Sequence, residues 1–158
     1  MRRNFIMQNK ATLLRNATGT ALFLVLMLLS SCETMPEPIN YGKDVCAFCS
    51  MMAMDKKFGA ELINSNGKIL KFDCGECMLQ YLKSNKDFKP AKFLVTAYDS
   101  PGNLIDAEKA FYLSGGNINS PMGGRLAAFT SREAAEKFQK ELNGDLILWD
   151  KAISLNFK

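Results

Sequence analysis

The chain has 158 residues, 47% hydrophobic and 23% charged, with 20 basic and 16 acidic side chains and no histidine. Without imidazole there is no histidine base, no Cys/His zinc finger and no Ser-His-Asp machinery. All four excess bases (Arg2, Arg3, Lys10 and Arg15) lie in residues 1–31, so the remainder has a formal net charge of zero and no basic surface that argues for nucleic acid.

Residues 1–31 contain no acid, and an apolar run of about nine residues extends from Ala21 to Leu29. That is short for a membrane span and right for a signal-peptide core. The run ends in Leu29-Ser30-Ser31-Cys32, the lipobox pattern of a bulky apolar residue, two small ones and a cysteine. The expectation is a lipoprotein signal peptide over 1–31, acylation of Cys32, and a lipid-anchored protein of the bacterial cell envelope facing the periplasm or exterior. Arg2-Arg3-Asn4-Phe5-Ile6 resembles a twin-arginine signal, but the preceding Ser/Thr is missing, which favours ordinary secretion. Residues 32–43, with two prolines and few packing residues, read as a flexible tether.

Asp44 to Met54 holds Cys46, Cys49, Met51, Met52 and Met54 without a clear hydrophobic period, and reads as a loop. Two apolar runs, Phe58–Ile63 and Lys68–Phe72, flank Asn64-Ser65-Asn66-Gly67, a hairpin signal because Asn and Gly tolerate positive φ. Asp73 then reads as a helix start with Glu76 as its capping-box partner, and Cys77, Met78, Tyr81 and Leu82 follow at helical spacing. Lys83-Ser84-Asn85 closes the helix and Phe93 to Tyr98 reads as a strand.

The second half matches the first at a constant offset of 57: Gly124–Phe129 lies over Gly67–Phe72, and Thr130–Lys140 over Asp73–Lys83. Thr130-Ser131-Arg132-Glu133 is again a capping box, and Leu146–Trp149 is the matching closing strand. The fold expectation is α+β, with two ββαβ repeat units (44–100 and 101–158) packed as one compact module. Cys74 and Cys77 correspond to Ser131 and Ala134, so the fold plan itself does not require the cysteines.

Cys46-x2-Cys49, a gap of 24 residues, and Cys74-x2-Cys77 leave three readings open. Four thiolates suit structural zinc, although the gap exceeds the usual spacing. In an exported protein the cysteines also suit structural disulfides. Cu(I), a soft ion, takes both thiolate and thioether sulfur. Only copper would use Met51, Met52 and Met54, and Met122 in the turn Ser120-Pro121-Met122-Gly123. Methionine elsewhere is core filling, and Met78 on its amphipathic helix reads that way. Cys46-x-x-Cys49 lacks the preceding strand of a thioredoxin-like motif.

The order of these motifs resembles the NosL family, the accessory lipoproteins of nitrous oxide reductase. The resemblance rests on Asp44-x-Cys46-x-x-Cys49-x-Met51, Phe58-Gly59-Ala60-Glu61, Lys71-Phe72-Asp73, Cys77-Met78, Ile105-Asp106-Ala107-x-x-Ala110-Phe111-Tyr112, Ser120-Pro121-Met122-Gly123, Ala128-Phe129 and Ala134-Ala135-x-x-Phe138. It implies a fold distantly similar to organomercurial lyase, and a non-enzymatic periplasmic Cu(I) chaperone. The implied partner is a copper-receiving apo-enzyme or its membrane assembly complex. The ligands it implicates are Cys46, Cys49, Met51 and Met122, with Cys77 matching one branch and Cys74 less general. Histidine, which some relatives have near the site, is absent here, and this favours all-sulfur ligation. Asp44 and Asp106 read as cap or turn residues. The alternatives are a lipoprotein with structural disulfides or zinc, and an enzyme of organomercurial-lyase type.

Overall fold

The computed structural model describes residues 35–157; the segment expected to be a signal peptide, and Cys32, lie outside this range. The described residues form one mixed α+β unit with a seven-stranded sheet and three helices. None of these helices is long and apolar enough to cross a membrane.

The expected hairpin is β1 (Ala60–Asn64) and β2 (Ile69–Phe72), paired antiparallel from Ala60↔Phe72 to Ile63↔Ile69. Of the Asn-Gly pair only Gly67 has positive φ, at 78°. Asn64 closes the turn instead, its side-chain oxygen accepting from the N–H groups of Asn66 (3.0 Å) and Lys68 (2.8 Å). Helix α1 (Gly75–Ser84) follows, then β3 (Pro90–Ala97), which pairs antiparallel with the other edge of β1.

β4 (Ser100–Asp106) folds back on β3. Asp106 ends it in a turn, Oδ1 accepting from the Glu108 N–H at 3.0 Å. β5 (Phe111–Ser114) pairs with β6 (Leu126–Phe129), helix α2 (Arg132–Leu142) follows, and β7 (Asp145–Ile147) pairs with the other edge of β5. The two groups of strands join through a short parallel contact between β3 and β6 at Ala97↔Ala128. Helix α1 packs on β1, β2 and β6, and α2 on β5, β6 and β7. Phe72, Phe129, Tyr112, Leu62 and Met78 are fully buried, so Met78 is core filling as its helical position suggested.

Three local expectations differ from the structure. Cys74, not Asp73, is the N-cap of α1, and both Asp73 and Glu76 are buried. A capping-box glutamate belongs at the solvent edge of its helix; Glu76 is instead turned into the core. In α2 the cap is Ser131, whose Oγ accepts from the Ala134 N–H at 3.1 Å. Trp149 does not extend the last strand: it opens a short helix, α3 (Trp149–Ser154). Its ring packs edge-on against Phe93, with centroids 5.2 Å apart, which turns the chain back over the sheet.

The stretch before the cysteine loop docks on the sheet from Glu37 onward. The Glu37 N–H donates to Glu61 at 3.2 Å, Ile39 is buried, and the Tyr41 hydroxyl meets Thr96 Oγ1 at 2.8 Å. Gly59 makes room for this crossing. A Cβ there would lie 2.5 Å from the Tyr41 hydroxyl and 2.7 Å from Ile39.

Candidate metal centre

The cysteine loop is a tight reverse turn closed by its own backbone. Cys46 N–H donates to the Met51 carbonyl (2.8 Å), Ser50 N–H to the Cys46 carbonyl (3.0 Å), and Ala53 N–H to the Asp44 carbonyl (2.9 Å). Ser50 accommodates the reversal with φ 61°. Two links fasten the loop to β2. The Ala47 N–H donates to the Lys71 carbonyl at 2.9 Å, and Lys71 Nζ pairs with Asp44 at 3.0 Å. The Asn40 N–H also donates to Asp44, at 2.8 Å, so Asp44 caps the loop as its sequence context suggested.

β2 runs directly into the N-terminus of α1, which places Cys74 and Cys77 beneath this loop. The Sγ atoms of Cys46, Cys49 and Cys77 all lie within 4.8 Å of one another. Cys74 contacts Cys77 but stands outside that group. All four are free thiols; Cys49 is half-buried, and Cys46, Cys74 and Cys77 are buried.

The four sulfurs differ in charge state. The Cys77 thiol donates to Cys46, and the N–H groups of Asp73, Cys49 and Phe48 also point at the Cys46 sulfur. Together they bring Cys46 down to about 5, against the opposing effect of burial. Cys77 is pushed far up, first by the protons it donates to Cys46 and Cys74 and then by burial. Burial raises Cys49, partly offset by the Met51 N–H. The hydrogen bond with Cys77 works to lower Cys74, but burial and the Glu76 carboxylate outweigh it. Of the four sulfurs, Cys46 is thus the one whose surroundings favour the thiolate, through a thiol and three amides. Asp73 lies beside it, its carboxyl raised by burial and by the negative Cys46, with the Met54 N–H opposing.

Of the expected thioether donors, Met51, Met52 and Met54 are 50%, 47% and 65% exposed and rim the cysteine loop. Met122 is half-buried and packs against the core from its turn, where the Gly123 N–H donates to the Ser120 carbonyl at 2.9 Å. A set of three thiolates drawn from two elements suits a soft ion at low coordination number. Tetrahedral four-thiolate zinc would draw all four sulfurs to about 3.8 Å of one another, as follows from Zn–S bonds of about 2.3 Å. Cys74 is not placed for that.

The pattern-based reading missed two contributors: Lys71 latches the loop, and Glu76 ties α1 to the segment carrying Met122. Asp73, which the organomercurial-lyase alternative offered as an acid near the cysteines, sits against Cys46. Lys71-Phe72-Asp73 was visible as a motif, but nothing in the residue order shows that its charged side chains turn toward the cysteine loop.

The crystal structure of the copper chaperone NosL from Shewanella denitrificans has a similar fold, with a TM-score of 0.63 at 18% identity, covering 75% of this chain and 96% of that one. No curated protein matches the chain. The family profile described as NosL matches residues 39–154, a span that contains the cysteine loop, α1 and the Met122 turn. The chain belongs to the NosL family.

Proposed function

We propose that this protein is a membrane-anchored Cu(I) carrier that supplies copper for the maturation of nitrous oxide reductase. The observation that carries this reading is the convergence of Cys46, Cys49 and Cys77 to within 4.8 Å, in a family with a solved member described as a copper chaperone. The work is transfer, not catalysis. Cu(I) enters as cargo, and the Cys46 thiolate receives it first because that sulfur already carries charge. Cys49, at the solvent edge, Cys77 and the exposed Met51 thioether supply the next donors, with Met122 as a completing ligand; Met52 and Met54 are auxiliary. A donor set with an open, flexible rim lets an incoming ligand bind before an old one leaves. Cys32 is assigned as the lipid attachment point, which confines the carrier to the envelope membrane and raises its effective concentration for a membrane-bound acceptor. The two strand–strand–helix–strand halves are assigned to one duplicated ββαβ unit.

The test is an anaerobic Cu(I) titration of the purified protein against a competing chelator, with the mass of the complex measured. One tightly bound Cu(I) per chain is expected. Cys46→Ser and Cys49→Ser should weaken binding strongly, and Met122→Leu measurably. Wild-type affinity in both cysteine variants would overturn the assignment.

A second reading is favoured by one observation, the buried Asp73 carboxyl beside the Cys46 thiolate. A thiolate with an adjacent carboxyl whose affinity for its proton is raised by burial is suited to cleaving a carbon–mercury bond. Turnover of an organomercurial, lost in Asp73→Asn, would support an enzyme of that type; no turnover together with tight Cu(I) binding would exclude it.

A further inference from the structure

The end of α1 remote from the cysteines borders a groove. Leu79 and Leu82 of α1, Ile153 of α3 and the side chains of Lys83 and Lys86 line an open cleft of about 490 Å³, within the ~300–1,000 Å³ range of ligand clefts. Its floor is apolar. Leu79 is buried, Leu82 is half-buried, and Ile153 is one of the few large apolar side chains left exposed, at 38%. Leu148, the N-cap of the same short helix, is 51% exposed.

The rim is positive. Residues 83–92 hold Lys83, Lys86, Lys89 and Lys92 against a single acid, Asp87, although residues 32–158 as a whole balance to zero. Lys83, Lys86 and Lys89 are exposed, and they are not equivalent. Lys83 Nζ donates to the Leu155 carbonyl and, at 3.0 Å, to Asn156 Oδ1, so it ties the tail after α3 to α1 and builds the wall of the groove. Lys86 has no acidic partner among the described residues, and Lys89 Nζ reaches only the Lys86 carbonyl, at 3.5 Å. The negative end of the helix dipole opposes an anion here, but it is partly covered. The Tyr81 carbonyl accepts from both the N–H and the side-chain amide of Asn85, each at 2.9 Å.

We propose that this groove is a membrane-surface site for an anionic phospholipid, whose phosphate pairs with Lys86 and Lys89 while one acyl chain lies over Leu79, Leu82 and Ile153. Charge complementarity selects this occupant. An apolar floor beside ammonium groups without acidic partners matches an amphiphile with a negative head, and each lysine beside an anionic surface strengthens binding about fivefold. The presence of a bilayer rests on the membrane-anchored state of the proposed function. α1 is ten residues long, about 15 Å, with Cys74 and Cys77 at its start and the groove at its end. A lipid held in the groove therefore stands about a helix length from the cysteine loop, and leaves the rim of Met51, Met52 and Met54 open to an acceptor.

The single tryptophan reports on the site, because Trp149 and Ile153 are four residues apart on α3 and share a face. The full-length protein, purified from the membrane fraction, is reconstituted without copper into vesicles with brominated acyl chains. The vesicles are phosphatidylcholine alone, or phosphatidylcholine with phosphatidylglycerol. Bromine should quench Trp149 in the vesicles that contain phosphatidylglycerol and leave it bright in phosphatidylcholine alone. Lys86→Gln together with Lys89→Gln should lower the docked-to-undocked ratio by about 25-fold, and Ile153→Ser by about tenfold. Lys83 stays intact because it holds the tail. All three substituted positions are exposed, and circular dichroism checks the fold. Equal quenching in the two vesicle types, none in either, or quenching unchanged by the double substitution would overturn the lipid site. A Trp149 change that tracks protein density and not bromine would assign the groove to a second copy and overturn it too. Protein that stays with the vesicles but is not quenched sinks this inference alone; protein that does not stay with them sinks the anchored state as well. The wild-type comparison decides even if a variant fails to fold.

Discussion

Glu76 Oε1 accepts a hydrogen bond from the Leu126 N–H at 3.1 Å, joining the cysteine-bearing first turn of α1 to the start of β6, four residues beyond Met122. The carboxylate is fully buried, Oε2 has no hydrogen-bond partner among the described residues, and a Cβ on Gly124 would lie 2.6 Å from Glu76 Cγ. Through this one side chain, α1 is fastened to the turn that carries Met122.

Glu76→Ala should therefore destabilise the protein by about 2–4 kcal/mol, by orphaning the Leu126 N–H and opening a cavity. Glu76→Gln retains an acceptor and should lose about 1 kcal/mol or less. Gly124→Ala should lose about 1–3 kcal/mol from overpacking, since Glu76 is pinned on the other side. Urea unfolding followed by fluorescence of the single tryptophan, Trp149, measures all three. Wild-type stability in Glu76→Ala would remove the link.

Lys71→Met should release the cysteine loop from β2. Lys71 Nζ meets Asp44 at 3.0 Å, Glu37 at 3.5 Å and the Pro38 carbonyl at 3.0 Å. We expect a loss of about 1–2 kcal/mol and faster amide hydrogen exchange at Asp44 and Ala47, with β5 and β6 unaffected. Burial works to raise Asp44, and the hydrogen bonds from Asn40 and Lys71 outweigh it, so its folded pKa is lowered. That contribution is present above the ordinary carboxylate value and is lost as pH falls through the folded one. The same acid-limb loss should be smaller in the variant.

Absorbance at 240 nm should show one thiolate appearing near pH 5, and Cys46→Ser should abolish it. With a folded value of about 5 against an ordinary 9.0, Cys46 stabilises the fold fully above pH 9. This contribution shrinks as pH falls and is gone below about pH 5. Cys49, Cys74 and Cys77, all raised, act in the opposite sense and cost stability as pH rises past their ordinary value. Stability attributable to the cluster should accordingly peak between about pH 7 and 9. A first thiolate that appears only above pH 8 would contradict the geometry.

Glu61 is a second buried carboxylate, opposite Lys71 across the β1–β2 pair, with Oε2 unpartnered among the described residues. Burial raises its pKa, the Glu37 N–H and Lys71 opposing. A raised acid contributes stability below its unfolded pKa and loses it as pH rises through the folded one. Glu61→Gln should thus match the wild type at pH 4 and exceed it by about 1–3 kcal/mol at pH 8 in denaturant titrations. Equal stability at pH 8 would show that the carboxylate is not under strain.

Much of the fold was legible from residue order. The hairpin at 60–72, both helices and β3 followed from local periodicity and turn chemistry, which act within a few residues. β4 and β5 were not delineated, because Gly102 and Asn103 interrupt the pattern of one and the other is only four residues long. Their pairing is decided by neighbouring strands, not by their own composition. Trp149 looked like a strand residue until the rings of Phe93 and Tyr112 gave it a tertiary place.

The sequence by itself determined which atoms are available: four cysteines and a run of methionines in a segment of zero net charge without histidine, in an order that matches one family. It also marked Cys46 and Cys49 as a pair, because two residues of spacing suffice for contact. The tertiary structure alone decided that Cys77 joins them while Cys74 stays one contact deeper, and that Cys46 carries the charge. The reason is physical. The Cys46 sulfur is favoured as thiolate by the Asp73 amide and the Cys77 thiol, 27 and 31 positions away, as well as by amides of its own loop, and only the docking of that loop on β2 brings those donors to one sulfur.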